Sequence, residues 1–283
     1  MAREAAPRGD PRAKKLGLAL SGGGAWGGAH LGVLRALDEA GLAPYCIAGT
    51  SCGAVAGGFY AAGVPMASAL AFADRLRWRS LRMLGMPRLG FFHSGEMERF
   101  LRQTLGDVRI EDLRIPVAVV ATELRTARPV VFREGPLAHA LSASSAIPVV
   151  FSPVMDGEAV LVDGGLTDNL PTQVCRGMGA EIVLAVNVIP GFDRERRYHN
   201  LFDIAMGTLE VLVQHSTDLG VEAADLCIHP EVIAVNPSDL SRMNLLVAAG
   251  ERALHDALPR LRELLAGGAA KPEKPEGRRK QGR

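Results

Sequence analysis

The run Gly49-Thr50-Ser51-Cys52-Gly53 constrains this chain more than any other stretch. It reads G-x-S-x-G, follows a short apolar run (Tyr45-Cys46-Ile47-Ala48), and precedes small residues from Ala54 to Ala62 that suit a helix. Strand, sharp turn, helix is the setting in which this motif lifts a serine hydroxyl clear of a sheet. Gly49 and Gly53 belong to that reading, because a tight turn brings backbone to where a Cβ would obstruct it. Small residues also spell this pattern by chance. The motif therefore needs a proton acceptor and a place for negative charge elsewhere in the chain.

Upstream, Leu16 to Leu20 is a short continuous apolar run, the mark of a buried parallel strand. Ser21-Gly22-Gly23-Gly24-Ala25-Trp26-Gly27-Gly28 closes it. A helix pattern follows, with Leu31, Leu34 and Leu37 on one face and Gly41 and Pro44 as stops. Gly22-x-Gly24-x-x-Gly27 also spells a dinucleotide fingerprint, which expects an acid at the end of the second strand to hold the ribose. That strand ends in Thr50-Ser51, and Asp38 and Glu39 fall on the helix instead. The dinucleotide reading fails there. The remaining use of a glycine turn at a helix N-terminus is to hold an anion on backbone N–H groups, and an oxyanion is such a charge.

Further along, Pro65 to Trp78 reads as a helix, and Leu81 to Phe92 mixes long apolar side chains with arginines. That last segment suits either a lid that meets lipid or a helical insertion packed on the core. Ser94 is a candidate cap for a helix to Leu105. Strands are expected at Pro116 to Thr122, Pro129 to Phe132, Val149 to Pro153, Ala159 to Val162, Glu181 to Val188 and Asp225 to His229. Helices are expected from about Pro136 to Ser145, from Phe202 to Val221 and within Asp239 to Leu265. Strands alternating with helices, with no internal repeat and no dividing linker, imply one layered α/β domain over residues 15–266. Basic, disordered ends are expected at 1–14 and 267–283.

Charge excludes one large class of partner. The net charge is +1, but without residues 1–15 and 271–283 the body carries 21 basic against 27 acidic groups. A nucleic-acid binder gathers basic groups on a folded face, which this body does not favour. The basic ends suit either transient contact with an anionic lipid surface or a solvated tail. Cys46, Cys52, Cys175 and Cys227 show no paired spacing, so free thiols are expected. No 18-residue apolar window marks a membrane span, and the run after Lys14-Lys15 is too short for a signal peptide. The expectation is a cytoplasmic protein, peripheral to a membrane at most, with no metal and no cofactor.

A serine at neutral pH needs a base. Seven histidines are present, and only His229 falls at a strand end near an acid. Asp163 is the better candidate. It closes a strand and is followed by Gly164-Gly165, which let the backbone turn away. Functional groups of open α/β sheets gather at carboxyl strand ends, where Ser51 also sits. Capping of a turn before Leu166 is the plain alternative.

Taken together, G-G-G-A-W-G, G-T-S-C-G about 25 residues later, and D-G-G-L-T-D-N-L-P after a strand resemble the bacterial patatin-like phospholipases. Ser142 to Phe151 (S-A-S-S-A-I-P-V-V-F) resembles that family too, and the likeness covers roughly residues 16–190. The resemblance implies a three-layer α/β/α sandwich around a mainly parallel sheet. It implies a dyad of Ser51 as nucleophile and Asp163 as base, with no catalytic histidine, and oxyanion-hole N–H groups from Gly22, Gly23 and Gly24. Its substrates would be acyl esters of phospholipids, lysophospholipids or related lipids. Two positions depart from the family's habit: Trp26 stands where arginine is usual, and Cys52 where methionine is common. The loss of a cation at Trp26 keeps open a second reading, a lipid-binding or regulatory protein without turnover.

Overall fold

In the computed structural model, which describes residues 14–80, 93–191, 197–232, 235–236 and 239–267, a size asymmetry within single strands organises the layers. The strands are β1 (Leu16–Leu20), β2 (Cys46–Thr50), β3 (Val117–Glu123), β4 (Arg128–Phe132), β5 (Val154–Asp156), β6 (Ala159–Asp163), β7 (Ile182–Val186) and β8 (Leu226–Ile228). The helices are α1 (Gly28–Glu39), α2 (Cys52–Ala61), α3 (Met66–Ser80), α4 (Ser94–Leu105), α5 (Leu137–Ser144), α6 (Thr172–Gly177), α7 (Leu201–Glu222) and α8 (Met243–Leu265). In β1 the large side chains of Leu16, Leu18 and Leu20 join the main core with α1, α2, α4, α5 and α8. Its small residues face the other way. Ala19 meets a second core of Cys46, Ala48, Ala118 and Ala185, covered by Leu170 and by Cys175 of α6. A period-two alternation of large and small thus gives one deep helical layer and one shallow one. This is the three-layer α/β/α sandwich that the family resemblance implies.

The eight strands run β5-β6-β3-β2-β1-β7-β8, with β4 also on β3. Strands β8, β7, β1, β2 and β3 are parallel, while β4 and β6 run antiparallel to β3 and β5 antiparallel to β6. A strand has two edges, and the registers on β3 show how its neighbours divide them. Val119 to Glu123 pair with β4, Val117 to Val120 pair with β2, and Ala121 to Glu123 pair with β6. Since β4 overlaps both, β2 and β6 must share the opposite edge. They run toward each other along it. Thr50 at the end of β2 pairs with Val120, and Asp163 at the end of β6 pairs with the next residue, Ala121.

Helix α8 crosses α1 closely because each contributes a glycine where the other's backbone arrives. A Cβ on Gly32 would strike the Val247 carbonyl, and one on Gly250 the Ala29 carbonyl. Three local expectations are corrected. Residues 148–150 form a turn rather than a strand, with Val149 at φ 71°, and the strand starts at Val154. His93 rather than Ser94 is the residue before α4. The Ser94 hydroxyl instead reaches Ser152 and the Pro153 carbonyl. Helix α6 was not expected at all. The segment Leu81 to Phe92 and both chain ends lie outside the described residues.

Candidate active site

Ser51 occupies the single-residue turn between β2 and α2 with φ 52° and ψ −124°, a conformation that costs a residue with a Cβ roughly 1–3 kcal/mol. Contacts on every side hold it there. Its N–H donates to Ser144 Oγ at 2.8 Å, and that hydroxyl in turn donates to the Val120 carbonyl at 2.5 Å. A Cβ on Gly49 would meet the Ala54 backbone at 2.6 Å, and one on Gly53 would collide with the Leu20 and Ser21 carbonyls. Both motif glycines are therefore required by close approach of α2 to β1 and β2. Ser51 as a whole is only 5% exposed.

Asp163 meets it from the opposite direction. The head-to-head ends of β2 and β6 bring the two side chains together, and the nearby Ser51 hydroxyl favours the ionised form of Asp163. Asp163 Oδ1 also accepts the Gly165 N–H at 2.8 Å. Gly164 passes directly over the Val120 carbonyl and beside Thr50, where no side chain fits. Burial lifts the Asp163 pKa from 3.8 to about 6, against the opposing pull of the Ser51 hydroxyl and the Gly165 N–H. At neutral pH it is an ionised but poorly solvated carboxylate, a stronger base than a free one.

The glycine loop lies against the same serine. A Cβ on Gly22 would sit 3.3 Å from Ser51 Cβ and 2.5 Å from Asn169 Oδ1. Gly23 and Gly24 have φ 154° and φ 60°, backbone suited to residues without a Cβ. The expectation for Gly22 changes. Its N–H is already spent on Asn169, at 3.2 Å to the carbonyl and 3.1 Å to Oδ1. Gly23 and Gly24 donate to no group among the described residues. Sequence reasoning missed Ser144 and Asn169. Both lay inside stretches already singled out, but their partners are distant in sequence, so nothing local marked either one.

The histidine alternative does not assemble. His229 follows β8, which is three strand spacings from β2, or about 14 Å. His30 is fully buried on α1, donates Nε2–H to the Ser21 carbonyl at 2.8 Å, and is held neutral by burial, with its pKa lowered to about 4. Cys52 beside Ser51 is held as a neutral thiol: burial, and then the nearby Asp163 charge, push its pKa up to about 12. Trp26 does not fill the place of a cation. Its indole N–H donates to the Val235 carbonyl at 2.6 Å, which ties the glycine loop to the chain after β8. No disulfide joins the four cysteines. Among the described residues, no group of three or more His, Cys, Asp or Glu could hold a metal ion, and no helix is long and apolar enough to cross a membrane.

The family model described as patatin-like phospholipase matches residues 18–176, which takes in the glycine loop, Ser51, Asp163 and Asn169. The chain belongs to the patatin-like phospholipase family. Within it, the chain is similar to an uncharacterised NTE family protein of Mycobacterium bovis, 39% identical over 177 residues, covering 62% of this chain and 49% of that protein. It is also similar to lysophospholipase nte1 of Aspergillus fumigatus, 36% identical over 181 residues, covering 62% of this chain but 12% of the fungal protein. The chain thus matches half or less of the length of these relatives. Among solved structures, VipD from Legionella pneumophila aligns with a TM-score of 0.52 and 16% identity, over 88% of this chain and 67% of that one. That likeness concerns the fold alone.

Proposed function

We propose that this patatin-like protein is a serine lipid acyl hydrolase, acting on acyl esters of phospholipids, lysophospholipids or related lipids through Ser51 and Asp163. The observation that carries the reading is the meeting of Ser51, just past the end of β2, with a buried Asp163 at the facing end of β6, whose pKa burial raises to about 6. Asp163 takes the hydroxyl proton as Ser51 Oγ attacks the ester carbonyl, and Gly23 and Gly24 N–H groups receive the oxyanion. The tetrahedral intermediate collapses to an acyl-enzyme, and Asp163 returns the proton to the leaving alcohol. Asp163 then deprotonates a water, which attacks the acyl group and releases the fatty acid with Ser51 regenerated. The fungal relative's name, lysophospholipase, supports the substrate class.

A lipid ester must be drawn from a membrane or micelle, and α7 offers a surface for it. Leu201, Ile204, Val211, Leu212 and Leu219 are each about half exposed or more and fall on one side of α7, while its inner side packs on the turn after Asp163. Peripheral contact through this helix belongs to the proposal. The reading without turnover keeps one supporting observation, Trp26 in place of the family's usual arginine.

Fluorophosphonate labelling, with mass spectrometry of the labelled peptide, separates the two. A hydrolase gives an adduct on Ser51 that is lost in Asp163→Asn. A folded wild-type protein that takes no adduct and cleaves no lipid ester overturns the proposal and leaves the binding reading.

A further inference from the structure

Asn169 is 1% exposed, and its polar atoms are all engaged. Its Oδ1 and its carbonyl both accept the Gly22 N–H, at 3.1 and 3.2 Å. Its Nδ2 donates to Thr217 Oγ1 at 2.8 Å, and that hydroxyl spends its own proton on the Val213 carbonyl at 2.6 Å. Its N–H donates to Ser216 Oγ at 3.2 Å, which in turn donates to the Gly165 carbonyl at 2.7 Å. These partners leave the amide one orientation. Gly22 N–H has only a proton to give, and Thr217 Oγ1 has already used its own, so the oxygen faces the loop and the nitrogen faces α7.

One side chain therefore joins the loop after β1 and the middle of α7, and its backbone N–H continues through Ser216 to the turn that follows Asp163. We propose that Asn169 is a positioning residue for acyl transfer. By taking the Gly22 N–H away from the reacting centre, it sets the direction in which Gly23 and Gly24 present theirs. It also ties that direction to the segment carrying the base. The inference rests on the hydrolase reading above. Its physical motive is the loop's own freedom: three consecutive glycines restrict their backbone least of all residues, while an oxyanion site works only if its donors are aimed before charge develops.

The test compares Asn169→Leu, Thr217→Val and Thr217→Ser with wild type in two readouts. One is kcat and KM on a water-soluble ester, and the other is hydrogen–deuterium exchange of the peptide spanning residues 20–27. Asn169→Leu is expected to lower kcat on the order of 10²-fold, the usual effect of a misdirected oxyanion donor, with KM within about twofold. Loop exchange should rise with it. Thr217→Val keeps the shape but frees the Asn169 amide, so it should lower kcat by a smaller factor and also loosen the loop. Thr217→Ser keeps the hydroxyl and should match wild type. A purely structural role would favour Val over Ser, move KM, or leave loop exchange unchanged, and any of these overturns the inference. If Asn169→Leu does not fold, the Thr217 pair decides. If wild type neither takes fluorophosphonate nor cleaves an ester, the hydrolase reading has failed. Loop exchange then decides the role of Asn169 by itself, and an unchanged value overturns it.

Discussion

Ser51 sits in a backbone conformation that a side chain resists, and Asp163 is charged where water is scarce. Both features should be measurable as stability lost to function. Ser51→Gly removes the steric cost of φ 52°, whereas Ser51→Ala keeps it, so urea unfolding should find the glycine variant more stable than the alanine variant by about 1 kcal/mol. The folded-state pKa of Asp163, about 6, lies above the unfolded value of 3.8, so the folded protein holds that proton more tightly. The stability this contributes is complete below about pH 4 and is lost as pH rises through about 6. Asp163→Asn should therefore gain on wild type between pH 4 and 7, by up to about 3 kcal/mol in paired unfolding curves. Activity runs the other way, because the base must be ionised. A plot of log kcat/KM should climb with unit slope to about pH 6 and then level off, and a profile flat down to pH 4.5 would remove Asp163 as the base.

Among the described elements, α7 carries the most exposed large apolar side chains, which is why the proposed lipid contact is placed there. Replacing Leu201, Ile204 and Val211 together with serine should abolish flotation on phosphatidylcholine vesicles while leaving kcat/KM on a soluble ester within about twofold. Flotation that survives would remove α7 as the contact. This helix was readable in the sequence from its length, but its exposed apolar side was not, since an apolar helix in an α/β chain normally implies a covering partner. The strands of the parallel core were legible because burial on both faces leaves uninterrupted apolar runs. Val149 to Pro153 misled for the same reason: its composition is that of a strand, but the chain turns there after α5, and Val149 takes a positive φ. Helix α6 escaped notice because six residues after a proline carry too little periodicity to register.

At the scale of the whole molecule, β1, β2 and β7 are flanked on both edges and buried on both faces, while the first half of α7 buries only Gly207. Native-state hydrogen exchange should follow that gradient, slowest in those strands and fastest across residues 201–212, and a reversed order would contradict the fold. The two candidate side chains were legible at strand ends, Ser51 from its motif and Asp163 from the Gly164-Gly165 that follows it. Their meeting was not, because it depends on which edge of β3 each strand takes, and a register is not written in any single segment. The occupation of Gly22 by Asn169 was hidden likewise, since the partners are 147 positions apart. The shared edge of β3 makes that strand a length standard for the chemistry. Two chain segments more than a hundred residues apart are butted against adjacent marks, Val120 and Ala121, on one ruler. A single residue inserted between Val120 and Ala121 would widen the gap by one strand step, about 3.3 Å, and also turn every later side chain of β3 to the other face.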